Sequence, residues 1–175
     1  MIGDEEINLR AVEPSDVNLL YQWENQMEIW TVGNTLTPFS KAILEKYIKH
    51  ASLDIYQTKQ LRLMIDAFIN DEKTTIGMVD LFEFDPFHSR AGVGILINQT
   101  FRSQGYAQKT LQIFLDYCFS HLGLHQIYCS VTADNEASRR LFESQGFALS
   151  GIKKEWRKTS TGFKDEIFYQ KINTR

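Results

Sequence analysis

The sequence predicts an α/β (α+β) domain with a mixed, mainly antiparallel sheet of seven strands, flanked by about four helices. Two observations carry this prediction. The stretch 91–107 passes from an apolar run through a polar, glycine-bearing loop into apolar residues spaced three and four apart, the pattern of a strand, a loop and a helix. Two runs of β-type residues, 61–69 and 74–84, flank the turn cluster 70–73 and predict a hairpin.

The other elements follow from the same periods and from capping residues. Strands are predicted at 7–12, 61–69, 74–84, 90–97, 126–131, 148–156 and 164–172, the last two joined by a turn at 160–162. Helices are predicted at 14–26, 40–52, 104–122 and 135–144. Pro14 and Ser15 suit the start of the first helix, and Ser40 suits the cap of the second. A loop is predicted over 31–39, which contains Gly33, Asn34 and Pro38.

Composition limits the classes of protein that this chain can represent. Its 175 residues, 43% of them hydrophobic, suit one globular domain over 1–175. A net charge of −3 argues against a nucleic-acid binder and is compatible with a cationic partner. The start lacks the basic and apolar segments of a signal peptide, and no apolar run is long enough to cross a bilayer, so a cytoplasmic location without membrane contact is expected.

Cysteine and histidine spacing gives no metal site. Cys118 and Cys129 form neither a metal-ligand spacing nor a disulfide framework. His88 lies in a turn and His125 opens a strand, and neither has a partner at ligand spacing. We therefore expect no metal.

The loop before the third helix has the features of an anion site. A helix start presents unpaired N–H groups and the positive end of the helix dipole. Gly105 allows close backbone approach, and Arg102 adds a charge that suits a phosphate oxygen. A plain structural turn accounts equally well for one Arg near one Gly. The P-loop and Rossmann patterns are both absent.

Three ordered motifs resemble the GCN5-related N-acetyltransferases. The first is Arg102-x-x-Gly105-Tyr106-Ala107, similar to the family's Q/R-x-x-G-x-G/A acetyl-CoA loop. The second is the strand 124–128, and the third is the segment 135–147, which contains N-x-x-S, L-F and G-F. Within the family, the stretches 76–81 and 82–91 look most similar to bacterial spermidine acetyltransferases.

The resemblance implies where acetyl-CoA, the co-substrate, would bind. The family fold has a V-shaped opening between its fourth and fifth strands that holds the pantetheine arm. The residues that this alignment assigns to the co-substrate are Ile95, Leu96 and Ile97 through their backbone, Arg102, Ser103, Gln104, Gly105, Tyr106 and Ala107 around the pyrophosphate, and Asn135, Ser138 and Phe142 on the last helix. Asn135 is also a favoured helix N-cap, and both roles can hold together.

The catalytic groups depart from the family pattern. The usual general acid is a Tyr where this chain has Phe142, which cannot donate a proton. Another hydroxyl or thiol can substitute, with Cys129 and Ser138 as alternatives; otherwise solvent protonates the thiolate, or transfer is slow. Many relatives carry an acid where this chain has Gly92. The nearest acids in sequence are Asp80, Glu83 and Asp85, of which Asp80 and Glu83 are the predicted catalytic carboxylates, although a solvated strand edge also explains both.

The acceptor side is less defined by sequence. Glu24 and Glu28 lie on the first predicted helix, which shapes the acceptor site in relatives; solvated helix charge also explains them. Trp23 and Trp30 can wall a pocket or belong to the core. The acidic residues that spermidine enzymes carry after this helix are missing from 31–35.

These features predict an acetyl-CoA-dependent N-acetyltransferase that acts on a primary amine, with a small amine such as a polyamine as the first choice. One alternative acceptor is a protein N-terminus, as in the ribosomal-protein acetyltransferases, which also lack the Tyr. Another alternative is a module that binds acyl-CoA without turnover. The resemblance also implies a homo-oligomer, since relatives are often dimers or larger.

Overall fold

Eight strands form one sheet in the computed structural model, which describes residues 2–33, 35–51 and 53–174, apart from the side chains of 31–33. The strands are β1 (Ile2–Gly3), β2 (Ile7–Ala11), β3 (Leu61–Ile69), β4 (Glu72–Asp85), β5 (Arg90–Ile97), β6 (Gln126–Thr132), β7 (Ala148–Thr159) and β8 (Gly162–Ile172). Their spatial order is β1-β2-β3-β4-β5-β6-β8-β7. Only the β5–β6 pair among these described strands is parallel, so the predicted mixed, mainly antiparallel sheet is confirmed.

The helices cover both faces of this sheet. They are α1 (Val17–Glu24), α2 (Met27–Gly33), α3 (Lys41–His50), α4 (Ile55–Thr58), α5 (Tyr106–Asp116) and α6 (Glu136–Ser144). The last helical turn after α5 is a π-helix over Tyr117–His121, and 3₁₀ turns lie at Pro14–Asp16 and Gln99–Phe101. The predicted helix 104–122 is therefore present, with its first turn starting two residues later.

Two hydrophobic clusters lie on opposite faces of the sheet. The larger one joins alternate residues of the strands to α5 and α6; Leu111, Phe114 and Leu115 of α5 are all buried in it. The smaller one joins Met64 of β3 and Met78 of β4 to α1 and α3. Side chains alternate across a strand, so adjacent residues of one strand supply both clusters.

The seven-strand prediction is wrong by one strand. Ile2 and Gly3 pair with Leu9 and Asn8 of β2, after a turn in which the Asp4 carboxylate accepts hydrogen bonds from the backbone of residues 6 and 7. Two residues are too few to show a period of two, so the pattern could not reveal this strand.

The helical region before β3 also differs from prediction. Residues 14–26 do not form one continuous helix, because the Asn25 side chain bonds to the Phe39 backbone through both its oxygen and its nitrogen and ends α1 there. The chain then starts α2, so 31–33 are helical and not part of a loop. The short α4, capped by Asp54, was not predicted, since four residues carry no helical period. Asn34, expected in the loop, and Ser52, expected at the end of the second helix, lie outside the described residues.

A buried ion network ties the first turn to the sheet. Arg10 of β2 donates from Nε to Asp66 at 2.8 Å and from both terminal nitrogens to Asp16. The Asp66 carboxylate is fully buried and also accepts from the Thr75 hydroxyl at 2.7 Å. Burial alone would raise the pKa of Asp16, but hydrogen bonds from Arg10 and the Glu13 amide outweigh it and lower that pKa. The Asp16 carboxylate is thus charged and paired at neutral pH, and Asp66 is paired with the same arginine.

Replacing Asp66 by Ala should lower the free energy of unfolding by about 3–5 kcal/mol, because the Arg10 guanidinium would lose a buried partner. Urea denaturation followed by circular dichroism measures this. Glu72→Ala, at an exposed position of β4, is the control and should change stability by less than about 0.5 kcal/mol. An Asp66→Ala variant as stable as its parent would contradict the structural role of the network.

Candidate functional site

The sheet opens where β5 and β6 diverge. The two strands pair from Arg90 opposite Gln126 to Gly92 opposite Tyr128, and their described pairing ends there. The rest of β5 stays paired with β4. The splayed sheet predicted between the fourth and fifth predicted strands is therefore confirmed.

The free edge of β5 presents backbone groups to this opening. The Asn98 amide donates to the Ile76 carbonyl, and hydrogen-bonding groups alternate sides along an antiparallel strand. Leu96 and Gly94 therefore bond to β4, whereas Val93, Ile95 and Ile97 direct their N–H and C=O groups into the opening. The Ile97 carbonyl accepts from Arg102 Nε at 2.9 Å. Ile95, Leu96 and Ile97 were predicted to offer backbone groups to the co-substrate. The N–H and C=O groups of Leu96 instead point toward β4.

A cavity of about 1400 Å³ passes through the opening and reaches both faces of the sheet. On the α5 face it is lined by the glycine-bearing loop and the start of α6. On the opposite face it is lined by β4, β6, β7, β8 and the α1–α2 region. A chain-like co-substrate can therefore enter from one face and an acceptor from the other.

The α5 end of the cavity has the geometry of an anion cradle. Gly105 is the N-cap of α5 with φ of 85°, and a Cβ built on it would meet no atom within 4 Å. The first N–H groups of α5 face no earlier helical turn, so they suit a phosphate. Arg102, Ser103, Gly105, Tyr106 and Ala107 line the cavity. Gln104 lies outside the lining, and its amide bonds to the Thr100 carbonyl.

The start of α6 forms the neighbouring wall. The Asn135 side-chain oxygen accepts from the Ser138 amide at 3.1 Å, which makes Asn135 a helix cap that also lines the cavity. Phe142 is buried, with its ring edge against Phe147 at 5.2 Å between centroids. This wall therefore bounds the cavity, and its residue at position 142 has no proton to donate. Burial raises the pKa of the Cys129 thiol, which makes it a poor proton donor.

On the acceptor face, an aromatic ring covers Gly92, the position at which the family resemblance leads us to expect an acid. A Cβ on Gly92 would lie 2.2 Å from the Phe82 ring, and one on Gly94 would lie 3.8 Å from it. Any side chain at 92 would displace Phe82. Tyr128 packs edge-on against Phe82 at 6.2 Å and tilted against Phe168 at 5.4 Å, so three rings line the inner end of the acceptor face.

Asp80 is held in an ion pair on this face. Arg62 lies directly opposite Asp80 in the β3–β4 ladder and donates to both of its carboxylate oxygens at 2.7 and 2.8 Å. The same guanidinium bonds to Glu24 and lies over the Tyr47 ring at 5.2 Å. Both carboxylates line the cavity. Both Asp80 oxygens are therefore occupied by the Arg62 guanidinium, and the role of Asp80 as a base stays a prediction.

Glu83 has a different partner. It sits in a β-bulge of β4 with φ of 50°, a conformation that is uncommon for a residue other than glycine. Its carboxylate accepts a hydrogen bond from the Tyr128 hydroxyl of β6, across the intervening strand β5. Burial and this bond raise the pKa of the Tyr128 phenol. Sequence alternation hides this contact, because the bulge reverses the side to which Glu83 points.

Further charges complete the acceptor face. Asp85 pairs with Arg90 at 3.3 Å, and Glu166 of β8 pairs with Lys153 and Arg157 of β7. A second bulge in β7 at 153–157 places Trp156, 61% exposed, in the cavity lining. Trp23 is buried in the smaller cluster and Trp30 bonds to the Glu24 carbonyl; neither of these described residues lines the cavity.

Sequence reasoning missed several lining residues of the acceptor face. They are Arg62, Phe82, Arg90, Tyr128, Lys153, Trp156, Arg157, Glu166 and Phe168. For Tyr128 a signal existed: apolar Ile127, Cys129 and Val131 alternate with it, which places Tyr128 on the opposite face of β6. In the described part of the chain, no group of three His, Cys, Asp or Glu could hold a metal, and no helix is long and apolar enough to span a membrane.

Comparisons with known proteins agree with this geometry. A family profile described as acetyltransferase (GNAT) domain matches residues 6–148. A spermidine N(1)-acetyltransferase of Vibrio cholerae is 28% identical over 150 residues, covering 85% of this chain and 82% of that protein. The Escherichia coli K12 enzyme of the same name is 26% identical, covering 83% and 74%.

Solved structures are similar over almost the whole chain. A crystal structure of spermidine N-acetyltransferase from Vibrio cholerae in complex with CoA and spermine aligns with a TM-score of 0.86 at 26% identity, covering 97% of this chain and 96% of that one. A dodecameric structure of the same enzyme in an intermediate state aligns with a TM-score of 0.79 at 26% identity, covering 97% and 95%.

Replacing Gly105 by Leu should weaken acetyl-CoA binding about tenfold to 100-fold, since each hydrogen bond to a charged group is worth about 1.5–3 kcal/mol. The side chain would fill the open space at the start of α5. Isothermal titration calorimetry with acetyl-CoA measures the loss.

Gly123→Leu is the matched control. Gly123 has φ of 65°, equally open space and no place in the cavity lining, so the backbone strain is comparable and affinity should not change. Equal affinity of the Gly105→Leu variant and its parent would remove the phosphate role from this loop.

Proposed function

The chain belongs to the GNAT acetyltransferase family, and from this premise we propose that its acceptor is a small polyamine. It is an acetyl-CoA-dependent N-acetyltransferase, as its spermidine-acetylating relatives and the fit of its cavity support. The identity of the acceptor amine is a separate and more specific question. The observation that carries the polyamine proposal is the excess of carboxylates around the acceptor side of the opening.

Six carboxylates and four cations line that side among the described residues. The carboxylates are Glu24, Glu28, Asp80, Glu83, Asp85 and Glu166, and the cations are Arg62, Arg90, Lys153 and Arg157. A primary amine with a pKa near that of lysine, about 10.4, is charged at neutral pH. A low-dielectric cleft with excess negative charge concentrates such cations.

The walls between these charges suit the body of a polyamine. Phe82, Tyr128, Phe168 and Trp156 give aromatic faces, and Lys153 already lies 5.1 Å from the centroid of Trp156. Aromatic faces attract ammonium groups and also pack against methylene chains. A flexible chain that alternates methylenes with charged nitrogens matches both features.

The co-substrate residues are assigned within the same proposal. Arg102, Ser103, Gly105, Tyr106 and Ala107 cradle the pyrophosphate, and Asn135, Ser138 and Phe142 flank the pantetheine arm. The N–H groups of Ile95 and Ile97 face the opening and suit the oxyanion that develops on the thioester carbonyl. Acetyl-CoA supplies the acyl group, and the chain's own residues position the amine against it.

Release of CoA thiol from acetyl-CoA tests the acceptor class. We expect kcat/KM for spermidine and spermine to exceed that for propylamine by about ten- to 100-fold, since electrostatic focusing raises association rates about 10–10³-fold. A peptide bearing a free N-terminus and a run without any amine are the comparisons. Preference for the peptide would favour a protein N-terminus as acceptor.

Glu28→Gln sharpens this test. Glu28 is an exposed cavity residue of α2, and its neutralisation should raise KM for spermine about two- to fivefold while leaving KM for propylamine unchanged. Glu45→Gln, on the exposed face of α3 away from the cavity, is the matched control. An equal change in KM for spermine and for propylamine would mean that Glu28 does not bind a second ammonium group of the polyamine.

We further propose that the chain assembles with copies of itself. Support comes from the dodecameric relative and from apolar side chains left exposed on β7 and β8, among them Leu149, Ile152 and Phe163. Light scattering after size exclusion should give a multiple of the 20.3 kDa chain mass. A monomer mass at all concentrations would contradict the assembly.

A further inference from the structure

The two positions at which the resemblance leads us to expect proton-transferring groups, 142 and 92, carry no titratable group in this chain. Phe142 is a buried ring, and Gly92 lies under the ring of Phe82. The acceptor arrives as an ammonium ion at neutral pH, which has no lone pair with which to attack a carbonyl. The active site therefore needs another group that removes a proton.

Most carboxylates of the acceptor face already form ion pairs with cations of the protein. Arg62 occupies both oxygens of Asp80, and the buried Glu166 is bound by two cations. Asp85 accepts from the His88 amide and pairs with Arg90. A hydrogen bond from the His88 amide lowers the pKa of Asp85. Burial would raise the pKa of Glu166, but hydrogen bonds from Arg157 and Lys153 outweigh it and lower that pKa, so Asp85 and Glu166 are poor bases.

Tyr128 and Glu83 form a pair of a different kind. The Tyr128 hydroxyl donates to the Glu83 carboxylate, and both residues line the cavity. Tyr128 stands opposite Gly92 on the last paired rung of β5 and β6, where the opening begins. Tyr128 therefore lies on the acceptor face next to the point at which the free edge of β5 begins.

We propose that the Tyr128 hydroxyl takes a proton from the acceptor ammonium while it passes its own proton to Glu83. The resulting neutral amine forms a bond from nitrogen to the thioester carbonyl carbon, and the carbon–sulfur bond breaks. The second proton leaves the nitrogen and neutralises the thiolate. The products are the N-acetylated amine and CoA thiol, and Glu83 holds one proton that it later releases to solvent.

Three features of the pair support this relay. The phenol stays protonated at neutral pH, because burial and the bond to Glu83 raise the pKa of Tyr128. Glu83 holds its position through a left-handed bulge, and such strained residues cluster at functional sites. Phe82 and Phe168 pack against the Tyr128 ring and fix the direction of its hydroxyl.

Tyr128→Phe is the decisive variant, since it removes one oxygen and keeps both ring contacts. We expect kcat to fall about 100-fold with the acceptor that the unmodified protein turns over best, because positioned acid–base groups contribute about 10²–10⁴-fold. Acetyl-CoA affinity should not change. The matched control is Tyr56→Phe, whose hydroxyl is outside the cavity and whose ring packs against Phe84.

The pH profile separates a relay from a structural role. In the unmodified protein the amine binds as its ammonium ion and gives a proton to the enzyme. Its kcat/KM should therefore not change between about pH 7 and 9. Without the relay, the Tyr128→Phe variant uses only free amine, whose concentration rises about tenfold per pH unit below an amine pKa of about 10.4. The ratio of kcat/KM for the unmodified protein to kcat/KM for Tyr128→Phe should therefore fall at least tenfold between about pH 7 and 9. Three other charged groups face the Tyr128 ring or its neighbour Phe168: Asp85 of β4, Arg90 of β5 and Lys153 of β7. They are present in the unmodified protein and in Tyr128→Phe alike, so their titration does not distinguish the two profiles.

Glu83→Gln tests the second half of the relay. Alone it should lower kcat about tenfold or more, and the double variant should be no slower than Tyr128→Phe, because members of one relay are not additive. Additive losses would overturn the coupling.

The inference rests on acetyl transfer to an amine and not on the polyamine itself. Transfer to another amine would refute the proposed acceptor, and the Tyr128→Phe comparison would then be made with that amine. A Tyr128→Phe variant as active as its parent, with the same pH profile, would overturn the inference. Absence of transfer to every amine would overturn it together with its premise.

Discussion

The divergence of β5 from β6 is the constraint on which the rest of the structure depends. An interrupted sheet leaves backbone N–H and C=O groups unpaired, and such groups are costly when buried. The larger hydrophobic cluster offsets this cost because it spans the gap: Ile65 and Val93 on one side and Ile127 and Val131 on the other pack against the same helix, α5. The two halves of the sheet are thus joined by three paired positions of β5 and β6 and, beyond these, by their common core.

That arrangement assigns separate tasks to the two faces. On the α5 face the chain offers a left-handed glycine, helix N–H groups and a capping Asn, all of which are backbone or amide features. On the other face it offers paired charges and aromatic rings. The first set suits a phosphate-bearing chain and the second suits an organic cation. The acyl group must pass between them at the rung where β5 and β6 separate.

The sequence predicted the elements whose signals are local. The loop at 102–107 and the cap at Asn135 lie within a few residues of the helices they begin, and both are where the motifs placed them. Asp80 was predicted as a catalytic carboxylate and lines the cavity, but its bond to Arg62 depends on the register of β3 and β4. The direction of Glu83 depends on a bulge that adds one residue to β4, and the place of the missed residue Trp156 depends on an irregularity that adds two residues to β7. A pattern with a period of two cannot report such an insertion.

Each of the two departures from the family pattern is explained by the packing of a neighbouring aromatic ring. Phe142 is apolar because its ring packs against Phe147 in the core beneath the opening, where a hydroxyl would need a partner. Gly92 has no side chain because Phe82 occupies the space in which one would lie. Phe82 in turn supports the Tyr128 ring, and the Tyr128 hydroxyl bonds to Glu83. The ring that excludes an acid at position 92 therefore holds in place the hydroxyl at position 128. A side chain restored at Gly92 would have to displace this support, so the two ways of moving a proton exclude one another in this fold.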